Sequence, residues 1–272
     1  MRRSRFAALA LSAAVAMGLG ATAAVSVQAA IDRNTQQSEA SPQTQKAVIQ
    51  AAYNALDAMG KTLASQNKLA YDVTMVTDVV AEKGKNVPVK GTAQVRFERP
   101  NHLYVDLKTD TMERQFFHDG NQFTVIAKKE GYYGQLPATD PTRKTLITAA
   151  QKYGLEVPLV DLLEWGTSKA PKVELESARL VEETTLDGQP VEHWALRGKE
   201  LEWEIWITKG EQRLPLKLTT TNYHLPEKPK FVANIQWHKA DAVNSAMFAP
   251  RLSSDLKPIS FNKVQPTPEA TQ

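Results

Sequence analysis

Residues 91–137 constrain the fold more than any other part of this 272-residue chain. Ala93, Val95 and Phe97 alternate with Thr92, Gln94 and Arg96; Leu103, Val105 and Leu107 alternate with Tyr104, Asp106 and Lys108. Apolar and polar residues in alternation mark strands with one face buried and one wet. Pro100-Asn101 breaks the first pair, and Asp119-Gly120-Asn121 supplies the positive-φ residues of a tight hairpin. The stretch is expected to form an antiparallel meander, the wall of a barrel or of a curved sheet. Nothing in it looks like a nucleophile or a general base.

Helices are expected on either side of this wall. Ser41 reads as an N-cap and Pro42 as the first helical residue. Ile49, Ala52, Leu56, Met59 and Leu63 then make one apolar stripe, with Gly60 a weak point in the helix. That helix either covers an ordinary core or sits in the mouth of the sheet. Tyr71, Val73 and Met75 open the first strand, with a return turn near 86–89. Asp140 and Pro141 start a second helix whose apolar side is Leu146, Ile147, Ala150 and Tyr153, and Gly154 ends it. A short apolar turn with Leu159, Val160, Leu162, Leu163 and Trp165 follows. Strands then resume, with a hairpin at Asp187-Gly188 and with Leu201, Trp203, Ile205 and Ile207 facing away from Glu202, Glu204 and Trp206. The expected fold is α+β: a strongly curved antiparallel sheet, a half-open β-barrel of about eleven strands. An N-terminal helix and a helical lid at about 139–166 cover it.

The termini set the compartment. Arg2, Arg3 and Arg5 precede an apolar run, and Val27 and Ala29 stand at the −3 and −1 positions of a cleavage site. Residues 1–29 therefore read as a secretory signal peptide, and the compartment as periplasmic. Residues 30–41 read as a flexible lead-in, 42–254 as one domain and 255–272 as a disordered tail. Apart from the leader's three arginines, basic and acidic residues balance, so nothing argues for nucleic acid. The absence of cysteine removes disulfides, thiol catalysis and a lipid-bearing lipobox. With the leader removed, no transmembrane segment is expected.

The search for chemistry returns little. His102, His118, His193, His224 and His238 lie on separate strands or loops without metal-ligand spacing, so no metal or other cofactor is expected. Glu202 and Glu204 share one strand face, which is compatible with glycoside hydrolysis but also with a solvated charged face. No serine-hydrolase elbow or phosphate-cradling loop occurs. Large apolar residues are dense on the strands: Met75, Phe97, Phe116, Phe123, Tyr132, Trp194, Trp203 and Trp237. A half-open barrel lined this way needs a cover and can hold an apolar ligand.

Arg99-Pro100-Asn101 between two strands, followed by the Asp119-Gly120 hairpin, resembles the core of the LolA/LolB lipoprotein-localisation carriers. A closer resemblance is to a family of periplasmic proteins of unknown function in the same superfamily. It rests on RPNHLYVDL from Arg99, FFHDGNQFTV from Phe116, KYGLEVPLVDLL from Lys152, EWEIWI from Glu202 and RLPLKL from Arg213, with Met247-Phe248-Ala249-Pro250 at the end. The resemblance implies a carrier or sensor that binds a lipid, acyl chain or lipoprotein without covalent chemistry. It places Arg99 where the carriers' arginine helps hold the lid shut; an ordinary charged strand end is the other reading. The expected ligand contacts are Met75, Phe97, Arg99, Phe116, Phe123, Leu146, Ile147, Tyr153, Leu162, Trp165 and Trp203. The alternative is a regulatory module with a filled core that recognises an envelope protein. An enzyme acting on envelope glycans is the third reading, and no catalytic residue is assigned.

Overall fold

The computed structural model describes residues 42–81, 84–170 and 172–263. The expected signal peptide, the lead-in, the Ser41 cap and residues 264–272 lie outside the described residues. Helix α1 (Pro42–Ala64) leads into the meander β1 (Lys68–Ala81), β2 (Lys85–Glu98), β3 (His102–Thr109), β4 (Glu113–Asp119), β5 (Gln122–Ala127) and β6 (Tyr132–Pro137). Helix α2 (Thr142–Tyr153) and a 3-10 turn (Val160–Leu163) form the lid. Then come β7 (Leu175–Leu186), β8 (Gln189–Gly198), β9 (Glu202–Thr208), β10 (Pro215–Thr221), β11 (Lys230–His238) and the short β12 (Lys257–Pro258).

The twelve strands form one open sheet in the order β12-β6-β5-β4-β3-β2-β1-β11-β10-β9-β8-β7. Every pair is antiparallel except β12 with β6. Two meanders are joined where β1 pairs with β11, for example Val73 with Ile235. The chain leaves the sheet at β6, on one flank, and re-enters at β7, the opposite edge. Residues 138–174 must therefore cross between the flanks, and this places the lid over the same face that α1 covers.

The pattern of burial follows the alternation. Ala93, Val95 and Phe97 point inward together with Leu103, Val105, Leu107, Trp194, Leu196, Ile205 and Ile207, all in one core cluster. The stripe of α1 (Ala52, Leu56, Met59 and Leu63) lies in the same cluster, as do Leu146, Leu162 and Leu163 of the lid. Tight hairpins occur where the sequence places them. Gly120 has φ +91°, and Asp119 Oδ1 accepts the amides of Asn121 and Gln122 at 2.9 and 2.8 Å. Asp187 and Gly188 both take positive φ, as a primed two-residue turn requires.

Four expectations need correction. The first turn is earlier than 86–89: pairing runs unbroken from Lys68–Glu98 to Ala81–Lys85, with Gly84 at φ +67°. The outer half of this hairpin is polar, so hydrophobic alternation does not reveal it. Helix α2 begins at Thr142, and Asp140 caps nothing through its side chain; its carboxylate pairs with Lys144 Nζ at 2.9 Å. Tyr132 is 41% exposed and lies outside the core.

The last correction concerns the tail. Lys257 and Ile259 donate to Gly131 and Tyr133 carbonyls at 2.9 and 2.8 Å, which adds β12 to the flank of the sheet. Phe261 lies over Gly134, where a Cβ would come within 2.5 Å of its ring, and it meets Tyr153 of α2 at 5.7 Å. This aromatic strap links the flank of the sheet to the lid helix. Phe261→Ala should cost about 1–2 kcal/mol in urea unfolding, less than a fully buried phenylalanine. It should also raise amide exchange in α2; unchanged exchange there would show that the strap does not brace the lid.

Candidate functional site

Three side-chain ties hold the lid to the sheet, while α1 accepts the Leu175 amide at Tyr53 Oη at 2.9 Å and the Arg213 amide at Thr62 Oγ1 at 3.1 Å. Arg99 directly follows β2, beside the C-terminus of α1, where helix carbonyls lack intrahelical donors. Its Nε donates to Gln66 O at 3.1 Å and an Nη to Leu63 O at 3.3 Å. The other Nη approaches Glu164 Oε2 of the lid at 3.5 Å. The planar guanidinium suits such divergent acceptors. Both side chains are withdrawn from water, at 17% and 7% exposure. Burial pulls the Arg99 pKa downward, and the Glu164 charge opposes it. Glu164 also accepts from Thr167 Oγ1 at 3.0 Å.

The second tie is at the start of the lid. His118 of β4 is completely buried, with Nε2 3.0 Å from Ala138 O and Nδ1 3.1 Å from Thr142 Oγ1. A carbonyl can only accept, so Nε2 carries the proton and Nδ1 accepts from the hydroxyl. The Thr142 amide donates to Pro100 O at 3.0 Å, so this end of the lid sits on the Arg-Pro-Asn corner. Tyr71, buried on β1, makes the third tie through its hydroxyl to Leu159 O at 3.5 Å.

One contact is purely steric. The backbone of Gly166, with φ +83°, presses on Gly60 of α1: a Cβ on Gly166 would lie 2.0 Å from Gly60 O. Only glycine can hold that φ and that approach together. Trp165 beside it meets Trp203 of β9 edge-on at 6.2 Å.

The structure gathers most of the residues expected to contact ligand, but as packed core. Met75, Phe97, Phe116, Phe123, Leu146 and Leu162 are buried in the main cluster, with Phe116 and Phe123 stacked at 6.2 Å. Trp165 and Trp203 pack against it, half-buried. Tyr153 is drawn to Phe261, and Ile147 is half-buried outside the cluster. Sequence reasoning missed His118, considered only as a metal ligand, and the Gly60–Gly166 pair, whose first member read as a helix defect.

A groove of about 400 Å³ lies elsewhere, across β7–β10, and of the expected residues only Trp203 lines it. One cross-strand row is Ser177, Arg197, Glu202 and Thr221; the next is Arg179, Ala195, Glu204 and Thr219. These alternate with inward Ala178 and Leu196, so the rows face outward. Glu202 and Glu204 are half-exposed and held by Arg197 at 3.0 Å and His193 Nε2 at 2.6 Å. Among the described residues, no group of three His, Asp or Glu is arranged to hold a metal ion.

A family model described as a predicted periplasmic protein (DUF2092) matches residues 52–262. The chain belongs to this family. None of the curated proteins matches it. Among solved structures, an uncharacterised conserved protein from Thermus thermophilus is 12% identical, with TM-score 0.45, covering 77% of this chain and 99% of its own. The Mycobacterium tuberculosis lipoprotein LppX is 10% identical, with TM-score 0.41, covering 72% and 98%. A LolA superfamily protein from Nitrosomonas europaea is 9% identical, with TM-score 0.35, covering 73% and 97%. The periplasmic description suits the expected compartment. No helix of the described residues is long and apolar enough to cross a membrane.

Two predictions follow from the ties. Arg99→Leu leaves Glu164 buried without its cation and should cost roughly 2–4 kcal/mol. Urea unfolding checks this, and limited proteolysis should find cleavage first within 155–170. His118 is held below its ordinary pKa of 6.5, chiefly by burial, with His102 acting the same way and the Ala138 carbonyl and Asp119 opposing. The unfolded chain then binds the extra proton first. Its contribution to stability is complete above about pH 6.5 and declines as the pH falls toward the lowered folded value. His118→Gln should flatten that segment of the stability–pH curve; an unchanged curve would contradict the assignment.

Proposed function

We propose that this protein carries or senses a hydrophobic ligand, a lipid, acyl chain or lipoprotein, in the periplasm, by burial without covalent chemistry. The observation that carries this reading is Arg99. One side chain on the sheet grips both the end of α1 and Glu164 of the lid. The lid is apolar beneath, and two of its polar ties to the sheet, Glu164 to Arg99 and Leu159 to Tyr71, are at 3.5 Å, toward the long end of hydrogen-bond geometry. Such a cover can lift as a unit. Leu146, Leu162 and Trp165 would then part from Phe97, Phe116 and Phe123, and an acyl chain would take their place. Each CH₂ buried contributes about 0.8 kcal/mol, which offsets the lost lid contacts. The resemblance of the Arg-Pro-Asn and Asp-Gly motifs to the lipoprotein carriers agrees with this reading.

A second reading is favoured by the burial of Phe97, Phe116 and Phe123. On it the core is permanently filled, and the protein recognises an envelope protein through its lid or an edge strand. The enzyme reading rests only on Glu202 and Glu204, each held through one oxygen, by Arg197 and His193.

Mass spectrometry of organic extracts separates the two main readings, using protein purified from the periplasm without detergent. The carrier reading expects a stoichiometric lipid and saturable uptake of a fluorescent fatty acid or lipopeptide. Arg99→Lys, which keeps the charge but loses the fork, should exchange that probe about tenfold faster. A clean extract together with no uptake would remove the carrier reading and leave the filled-core module.

A further inference from the structure

We infer that the outward face of β7–β10 holds a second binding site, for a neutral polyhydroxylated ligand of the oligosaccharide class. The site does not depend on the carrier reading; besides the outward rows, Gln45 of α1 and Trp203 also line its groove. Its groove, at about 400 Å³, lies within the range of small-molecule sites. The floor is small: Ala195 stands between Arg179 and Glu204 in its row, where a larger residue would fill the depression.

The polar groups point to the ligand class. The hydroxyls of Ser177, Thr219 and Thr221 are half-buried, and none has a hydrogen-bond partner among the described residues. They are not sealed from water, so a ligand that displaces that water finds them free to pair. Both carboxylates are held by one oxygen only, Glu202 by Arg197 and Glu204 by His193. Their second oxygens remain as oriented acceptors beside these donors. His193 is itself fixed, stacked on Trp206 with ring centroids 3.9 Å apart, so Glu204 is buttressed from behind. Two arginines and two glutamates cancel in formal charge, so the groove does not select an ion. Adjacent hydroxyls on a sugar ring match alternating carboxylate oxygens and guanidinium N–H groups.

An extended peptide fits this face poorly. β7 is the edge strand, and its pairing with β8 is interrupted at Leu175/Ser177 and at Leu180/Glu182. It carries Glu176, Arg179, Glu182 and Glu183 along the edge. Bulges and charges of this kind blunt an edge against strand addition.

The test titrates the full purified protein with chitotetraose, cellotetraose and maltotetraose, followed by calorimetry and by NMR of the tryptophan indole N–H groups. Saturable binding is expected for at least one sugar, with shifts at Trp206. Ala195→Trp, which fills the groove from outside the core, should weaken it at least about tenfold. Glu204→Gln should weaken it less, with thermal unfolding unchanged. If Ala195→Trp does not fold, the Glu204→Gln, Thr219→Val double variant decides by the same criterion. No binding of any of the three sugars at millimolar concentration overturns the inference. So does binding that these variants leave intact, or a preference for a charged tetrapeptide. Fatty-acid uptake by the same variants is expected to be unchanged, so the two sites fail or stand separately.

Discussion

A sheet that stays open leaves one broad apolar face that water must not reach, and the architecture is arranged around that requirement. Closure into a barrel would remove the problem by letting side chains fill the interior. Here β7 and β12 are not paired with each other, so helices have to do it. The connectivity makes this unavoidable, because the segment between β6 and β7 must pass from one flank to the other. Covering the face costs no additional chain; it follows from where the two meanders begin and end.

The adhesive beneath the cover and the fastenings at its edge are of different kinds. Leu146, Leu162, Leu163 and the stripe of α1 supply non-directional burial, which tolerates sliding. Arg99, His118 and Tyr71 supply directed contacts at defined points and fix one register of lid on sheet. Their burial raises the cost of leaving any one of them unpaired. Gly60 and Gly166 add a contact with no tolerance at all, since backbone meets backbone there. The cover is thus held broadly by apolar area and located narrowly by polar and steric points.

Much of this was legible in the sequence. Alternation at Ala93–Phe97 and Leu103–Leu107 specified inward and outward faces correctly, because a half-buried strand has period two. The stripe from Ala52 to Leu63 and the Gly154 terminator were readable for equally local reasons. What escaped were properties set by residues far apart in the chain. Phe261 looks like part of a polar tail until Gly134 is seen beneath it. His118 reads as one of five scattered histidines until Ala138 and Thr142 close around it. Arg99 was recognisable from the Arg-Pro-Asn motif, yet its grip on α1 depends on a helix end that no local pattern places there. The eleven expected contacts were largely brought together, because residues that fill a core and residues that line a cavity have the same character.

The junction of the two meanders bears on how the chain is made. β1 lies near the start of the described chain and pairs with β11 near its end, with Tyr71 opposite Trp237. Such pairing has a high contact order, and closing so long a loop must precede the gain from the contact. The first meander can form its hairpins early, but β1 keeps an unpaired edge until residues 230–238 have been made. During synthesis the growing chain therefore presents a long, partly apolar strand edge, the kind of surface that chaperones and aggregation compete for. The last regular strand of the main sheet protects the first.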